Sequence, residues 1–316
     1  MYNDLVSIII PMYNRRHLIG ETLSSLSKQS YNNWECIIVD DHSDDGSYEY
    51  VKEFISQDNR FSIYKRPENR KKGANACRNY GFDLSKGVFI NWFDSDDIMD
   101  SSFLKEKVRE ITNSGFDAVI SKTAMFKEDP TKISWKEKRT NVTKNCLEDF
   151  LELKVAWYLP DVLWKREFLN DKDLFNEDLM AGQDRDFHSR MLLHEPKLMV
   201  LDEYLTYCRK HDGNLTAKLD DIKNKALKIS HMNSVISLVD KIDAADRLSK
   251  RIRLGLFKAM IKYLPYTLEN KSDFNTLRSL LKRLSFPNLF VMLGWIKFYI
   301  SYISIKLTGR GSKFLR

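Results

Sequence analysis

Five short apolar, largely β-branched runs recur within the first part of the chain, and stretches of helical periodicity separate them. Val6-Ser-Ile-Ile-Ile10 stops at Pro11, Trp34-Glu-Cys-Ile-Ile-Val39 at Asp40-Asp41, and Val88-Phe-Ile-Asn-Trp-Phe93 at Asp94-Ser-Asp-Asp97; Phe61–Tyr64 and Asp117–Ser121 complete the set. Short continuous apolar runs are the pattern of strands buried on both faces. Between them, His17–Lys28 places Leu18, Ile19, Thr22, Leu23 and Leu26 on one helical face. Ser47–Ser56, Ala74–Leu84 and Ser101–Asn113 also read as helices. Strand–helix alternation with short links covers both faces only as a largely parallel sheet flanked by helices, so the predicted class is α/β. Ligands of such sheets gather at the carboxyl ends of the strands, which makes the two acidic clusters site candidates.

Composition narrows the function classes. With 12 Gly and 7 Pro in 316 residues and 43% hydrophobic content, the chain is neither collagen-like nor wholly disordered. The four cysteines, Cys36, Cys77, Cys146 and Cys208, form no CxxC pair, which predicts reduced thiols rather than a disulfide framework or zinc site. Met1-Tyr-Asn-Asp lacks a basic leader and no signal peptide is expected, so the Asn141-Val-Thr and Asn214-Leu-Thr sequons carry no weight. No phosphate-loop or dinucleotide fingerprint occurs.

The net charge of +7 is unevenly placed: Lys282, Arg283, Lys297, Lys306, Arg310, Lys313 and Arg316 sit in a segment without acidic residues, so residues 1–280 sum to zero. A nucleic-acid enzyme spreads positive charge over its body, and nucleic acid is not an expected partner. Within the tail, Leu289–Ile305 is apolar but interrupted by Lys297. It is too short and too charged for a spanning helix, and fits a helix lying on an anionic membrane surface. The alternative is a helix packed on protein, including a homo-oligomer interface.

Read alone, Asp94-Ser-Asp-Asp97 is either a solvated turn capping the next helix or an oxygen-rich cation site. Asp40-Asp41-His-Ser-Asp-Asp-Gly-Ser47 is either another capping turn or a set of acceptors for a base or ribose. Taken in order, Val6–Asn14, Val39–Ser47, Gly73-Ala-Asn-Ala-Cys-Arg-Asn-Tyr-Gly81 and Phe93–Asp97 resemble the family-two inverting glycosyltransferases with a GT-A fold, over roughly residues 5–215.

That resemblance implies a nucleotide-sugar donor, usually a UDP-sugar, and a divalent metal, Mn²⁺ or Mg²⁺. By position, Pro11, Tyr13, Asn14 and Asp41 match the nucleoside-holding residues, and Arg78 and Asn79 match the donor-pocket segment. Asp94 and Asp96 match the DxD motif: Asp94 for ribose or metal, Asp96 for metal, with Asp97 a third candidate. Gly182-Gln-Asp-Arg-Asp-Phe187 resembles the family's acidic motif; Asp184 matches the catalytic base, while Gln183 replaces the usual Glu. Tyr207–Thr216 resembles the segment whose histidine closes over the metal diphosphate, which makes His211 a metal-ligand candidate. Trp157, Tyr158, Asp161 and Trp164 are either an acceptor-stacking surface or core.

The expected organisation is a catalytic domain over 1–215, donor-binding to about 121 and acceptor-binding from about 122, then a helical region over 216–316. Residues 122–145 read as a polar mobile loop; Ile222–Ile236 and Ala244–Leu264 read as helices, with Pro265 as a break. The functional expectation is a transferase acting on a glycan or lipid-linked acceptor in surface polysaccharide synthesis, peripheral at the inner face of the cytoplasmic membrane. The alternative is a non-catalytic nucleotide-sugar-binding or membrane-scaffold protein, to which the lost carboxylate at Gln183 lends some weight.

Overall fold

The computed structural model describes residues 3–112, 114–211, 224–267 and 271–308. The chain divides into two compact units, one made of Met1–Lys144, Val155–Asp178 and Glu195–Asp212, the other of Asn145–Lys154, Leu179–His194 and Gly213–Arg316. Residues 145–154 and 179–194, which the sequence reading placed before the cut at 215, thus belong to the second unit.

The first unit is an α/β sheet. Its elements are β1 (Val6–Met12), α1 (Ile19–Ser27), β2 (Trp34–Asp40), α2 (Ser47–Phe54), β3 (Phe61–Lys65), α3 (Ala74–Leu84), β4 (Phe89–Trp92), β5 (Ile98–Met99), α4 (Phe103–Thr112), β6 (Ala118–Phe126) and β7 (Ile133–Lys136). After α5 (Cys146–Leu151), which belongs to the second unit, come β8 (Val162–Lys165) and α6 (Arg166–Leu169). The sheet runs β3-β2-β1-β4-β8-β6-β9-β5, with β7 added to β6 and β9 spanning Leu198–Arg209. Strands β3, β2, β1 and β4 are parallel, and β8 enters antiparallel to β4.

Every residue of β1 is buried, as a central parallel strand requires. Val6, Ile8, Ile10 and Met12 join Leu23, Leu26, Phe103 and Val108 in the main core. On the opposite face α3 crosses β1 so closely that a Cβ on Gly81 would come within 2.4 Å of Ile9 Cγ2.

Two sequence expectations change. β1 runs through Pro11 to Met12, although Pro11 was read as its stop. Ile9 gives its carbonyl to Phe93 N on the β4 side, so the amide position of Pro11 faces that same side, and the β4 ladder ends at Ile9. No rung is lost there. The polar stretch 122–145 is also not loop throughout: β6 continues to Phe126, and β7 folds back onto it with a register shift at Met125/Phe126.

The second unit holds α5, α7 (Gln183–Leu193), α8 (Lys225–Ala244), α9 (Lys250–Thr267), α10 (Lys271–Leu284) and α11 (Leu289–Thr308). α9 continues past Pro265 for two residues; so near a helix end, a proline removes little of the backbone ladder. No helix among the described residues is long and apolar enough to cross a membrane.

His231 of α8 stacks on Tyr263, and burial, with Arg185 and Lys262 nearby, pushes its imidazole down to about 4. A histidine depressed in the folded state is protonated first in the unfolded chain, so stability is lost as pH falls from about 6.5 toward 4. At pH 5 the loss reaches up to about 2 kcal/mol, a figure that His231→Gln is expected to remove from the difference between pH 7 and pH 5 urea unfolding. An unchanged acid sensitivity in that variant would place the titrating group elsewhere.

Candidate functional site

Strand order 3-2-1-4 means that successive connections leave β1 toward β2 and later return to its other side at β4. Such a reversal opens a crevice at the carboxyl ends of the two strands. The residues delivered there are Tyr13, Asn14 and Arg15 after β1, and Asp94–Asp97 after β4. β9, paired with β5, carries Cys208 and Arg209 to the same end, with His211 two residues beyond.

Asp96 is the meeting point. His211 Nε2 lies 3.0 Å from its Oδ2, and Arg15 Nε lies 3.5 Å from the same oxygen. Arg209 Nε donates to the Asp96 carbonyl at 3.3 Å, and its other arm reaches Glu21 at 2.6 Å. Arg78, itself buried, gives one nitrogen to Asp94 Oδ1 at 2.9 Å and another to Asn75 at 3.2 Å. Asp97 faces away into the fold: its carboxylate accepts from Arg209 N at 2.9 Å and Cys208 Sγ at 3.0 Å. It anchors β9 to the acidic turn.

Burial raises the Asp94 carboxyl and the Asp96 charge raises it further, against the pull of Arg78. Asp97 is raised well above the usual carboxylate range by burial, then by Asp96 and Asp94. Three carboxylates, Asp94, Asp96 and Asp97, thus share this strand end with the guanidinium groups of Arg15, Arg78 and Arg209. Meanwhile the Nε atoms of Arg15 and Arg78 are buried without a hydrogen-bond partner, a cost that an incoming anion can lift. Clustered carboxylates beside guanidinium groups that each keep an unused N–H fit a cation and a diphosphate together. The donors, carboxylate oxygens and one imidazole, suit Mg²⁺ or Mn²⁺. Among the described residues no three His, Cys, Asp or Glu side chains already converge on a point. Mg²⁺ in phosphoryl and nucleotide sites is commonly held by one or two carboxylates plus substrate phosphates and water.

The second acidic cluster is more tightly built than its sequence suggests. Asp40 accepts from Ser43 Oγ at 2.5 Å and Ser43 N at 3.1 Å, closing the turn after β2. Asp41, buried, is paired with buried Arg66 at 2.5 Å. An ionised carboxylate offers about four acceptor positions, so this ion pair leaves capacity for a base N–H. Asn14, at φ +51°, cross-bonds Asp44: its Nδ2 donates at 2.8 Å and its Oδ1 accepts from Asp44 N at 3.1 Å. Exposed Tyr13 has the Lys72 ammonium 4.4 Å above its ring. Asn79 is held by Phe175, donating to its carbonyl at 2.9 Å and accepting from its N–H at 3.1 Å, and it also reaches Glu177. Trp157, Asp161 and Trp164 are buried; Tyr158 is half-buried and donates from its hydroxyl to Glu137, so this group reads as core.

In the second unit, Gly182 caps α7 at φ +84°, and a Cβ there would meet His231 Nδ1 at 2.9 Å. Ser230 Oγ accepts from Met180 N and Ala181 N, fixing the entry to the helix. Asp184 stands in the first turn of α7 with Asp186, which is buried and paired with Arg190 at 2.7 Å.

Sequence reading overlooked Arg15, Arg66 and Lys72. Arg66 was recoverable once β2 and β3 are aligned: Asp40 pairs with Lys65, which sets Asp41 beside Arg66. A separate hollow of about 600 Å³, lined by Arg16, Gly20, Ser24, Tyr50, Met99 and Pro130, contains neither Asp94 nor Asp96.

Comparison with known proteins agrees with this layout. S. aureus TarS (residues 1–349), crystallised with UDP-GlcNAc, superposes with a TM-score of 0.65 at 19% identity over 96% of this chain and 92% of that one. This likeness identifies the fold as GT-A. The uncharacterized glycosyltransferase EpsJ of Bacillus subtilis is 27% identical over 221 residues, 67% of this chain and 63% of EpsJ. The Escherichia coli UDP-Glc:α-D-GlcNAc-diphosphoundecaprenol β-1,3-glucosyltransferase WfgD is 39% identical over 108 residues, 34% of this chain and 41% of WfgD. The chain thus spans less than two thirds of the length of these relatives. The profile described as Glycosyl transferase family 2 matches residues 7–179, more than half of the sequence, including β1, β4 and the acidic turn after β4 but not β9 or His211. The chain belongs to glycosyl transferase family 2.

Proposed function

We propose that this protein is an inverting, metal-dependent glycosyltransferase that moves a sugar from a UDP-sugar to a glycan or lipid-linked acceptor in bacterial surface polysaccharide synthesis. The observation that carries the reading is Asp96 set between Arg15 and His211 at the β1/β4 reversal, beside the Arg78–Asp94 pair. The UDP-GlcNAc complex of TarS and the lipid-diphosphate acceptor in the name of WfgD support the donor and acceptor classes.

In this reading Tyr13 flanks the base and Asp41 accepts its imide N–H, with Arg66 holding the carboxylate in place. Pro11 and Asn14 shape the turn beneath the nucleoside, and Asn79 braces the wall at Phe175. Asp94 faces ribose or metal, while Asp96 and His211 hold Mn²⁺ or Mg²⁺, which when bound neutralises charge on the leaving diphosphate. Arg15 and Arg78 add fixed positive charge where the phosphates lie. Asp184 takes the proton of the acceptor hydroxyl as that oxygen attacks the anomeric carbon. The bond from that carbon to the β-phosphate oxygen breaks on the opposite side, its electron pair leaves with UDP, and the configuration inverts. The basic tail attaches the protein peripherally at the inner face of the cytoplasmic membrane, with homo-oligomer formation as a further expectation.

Calorimetry of UDP binding with and without Mn²⁺ tests the site. Wild-type affinity is expected to rise at least tenfold with the metal, and Asp96→Ala to lose that gain. Equal metal dependence in the variant would remove Asp96 from the metal site. UDP binding without UDP release from a panel of UDP-sugars would favour the non-catalytic nucleotide-sugar-binding reading, and absence of any UDP binding the membrane-scaffold one.

A further inference from the structure

Helix α11 is apolar on both sides, and the protein covers only one of them. Val291 and Phe298 are buried, Phe298 stacks on Phe274 with centroids 4.9 Å apart, and Trp295 Nε1 donates to Ser285 Oγ at 2.8 Å. Gly294 lies so near Phe257 that a Cβ would come within 2.4 Å of its ring. These contacts fix the helix within its own unit. On the opposite side Leu289, Leu293, Ile296, Ile300 and Ile303 are each between 47% and 67% exposed. Their spacing of alternating four and three residues draws one straight stripe along the helix, widened by Met292 and Tyr299. A helix apolar all round belongs in a core or in lipid. Contiguous exposed apolar surface of this kind marks an interaction site.

Charge selects the occupant. The chain from Leu281 onward carries seven basic residues and no acidic one. Arg283 is already neutralised by Asp240 and Asp243, but half-buried Lys297 flanks the stripe, and Lys282 is exposed at the end of α10. Arg310, Lys313 and Arg316 lie outside the described residues. A second copy docked stripe to stripe brings two basic segments together, whereas an anionic lipid headgroup complements them.

We propose that α11 lies in the membrane surface, its Leu289–Leu293–Ile296–Ile300–Ile303 stripe inserted at the headgroup–acyl boundary of an anionic bilayer while Val291, Trp295 and Phe298 clamp it to the protein. This rests on the peripheral attachment proposed above and names the surface that makes it. Because the stripe runs along the helix rather than around it, the axis lies parallel to the bilayer.

The test is flotation of the full chain with phosphatidylcholine vesicles, with and without phosphatidylglycerol. Wild type is expected to float with the anionic vesicles, less so at high salt, and Ile296→Glu/Ile300→Glu to partition roughly a hundredfold less. Both substitutions are on the exposed side, so the thermal midpoint is expected to hold within a few degrees. Equal flotation of the two proteins overturns the proposal. So does a wild-type dimer in light scattering that the variant splits while neither protein floats, since the stripe is then a copy–copy interface. UDP calorimetry without vesicles reads the donor site separately: unchanged affinity in the variant confines any loss to the membrane contact, and absent affinity in both leaves the flotation result intact.

Discussion

Replacing Asp184 by Asn is expected to lower sugar transfer by roughly 10²- to 10⁴-fold, the usual contribution of a positioned general base, while UDP affinity stays within about twofold of wild type. Asparagine keeps the shape of the side chain and an acceptor oxygen, yet cannot take the acceptor's proton at neutral pH. The loss should therefore fall on kcat with KM for the donor little changed. Asp184 also stands in the first turn of α7, where a carboxylate favours the helix by about 0.3–1 kcal/mol. A purely structural role predicts a lower thermal midpoint and transfer that recovers once the folded fraction is corrected for. Full transfer by folded Asp184→Asn would end the base assignment, and Gln183, whose Oε1 is buried without a hydrogen-bond partner, would then be the next residue of the motif to vary.

The sheet was legible because its central strands are buried on both faces and so cannot hide their composition. β1, β2 and β4 all fell within a few residues of their runs, and α3 spans the Ala74–Leu84 expected for it. Pro11 misled because a strand end was inferred from a residue type, when what matters is whether a neighbour needs its amide. β7 was illegible for the opposite reason: Ile133–Lys136 is exposed edge, where packing exerts little selection on side chains.

The acidic positions of the site were readable as motifs, as were Arg78 and His211, but Arg15 and the pairings themselves were not. Arg15 and His211 reach one carboxylate from loops 196 residues apart, and only the β1/β4 reversal and the β5–β9 pairing bring them together. For the same reason the sequence left Trp157 and Trp164 open between a stacking surface and core, and their burial decides for core. Aromatic content alone does not distinguish core from platform.

Arg66→Ala is expected to destabilise the protein by about 3–5 kcal/mol, because it strands the Asp41 carboxylate in the fold without its counter-ion. Both side chains are buried, and the guanidinium also donates to Pro67 O at 2.9 Å and Arg70 O at 2.5 Å, so the alanine orphans three acceptors at once. The Coulomb attraction alone does not decide the magnitude. The desolvation already suffered by each ion does, since one partner's removal leaves that cost uncompensated. It follows that Asp41→Asn should be the gentler change: it removes the buried negative charge and leaves the guanidinium its two carbonyls. A double-mutant cycle with Asp41→Asn/Arg66→Leu should return a coupling energy of about 0.5–3 kcal/mol, read from urea midpoints at constant m-value. A loss below about 1 kcal/mol for Arg66→Ala would mean that water reaches Asp41 and that the pair behaves as a surface bridge. In that case an Asp41 carboxylate held in place for a nucleobase loses its physical basis, because the rigidity that lets it select one hydrogen-bonding edge comes from the same buried guanidinium.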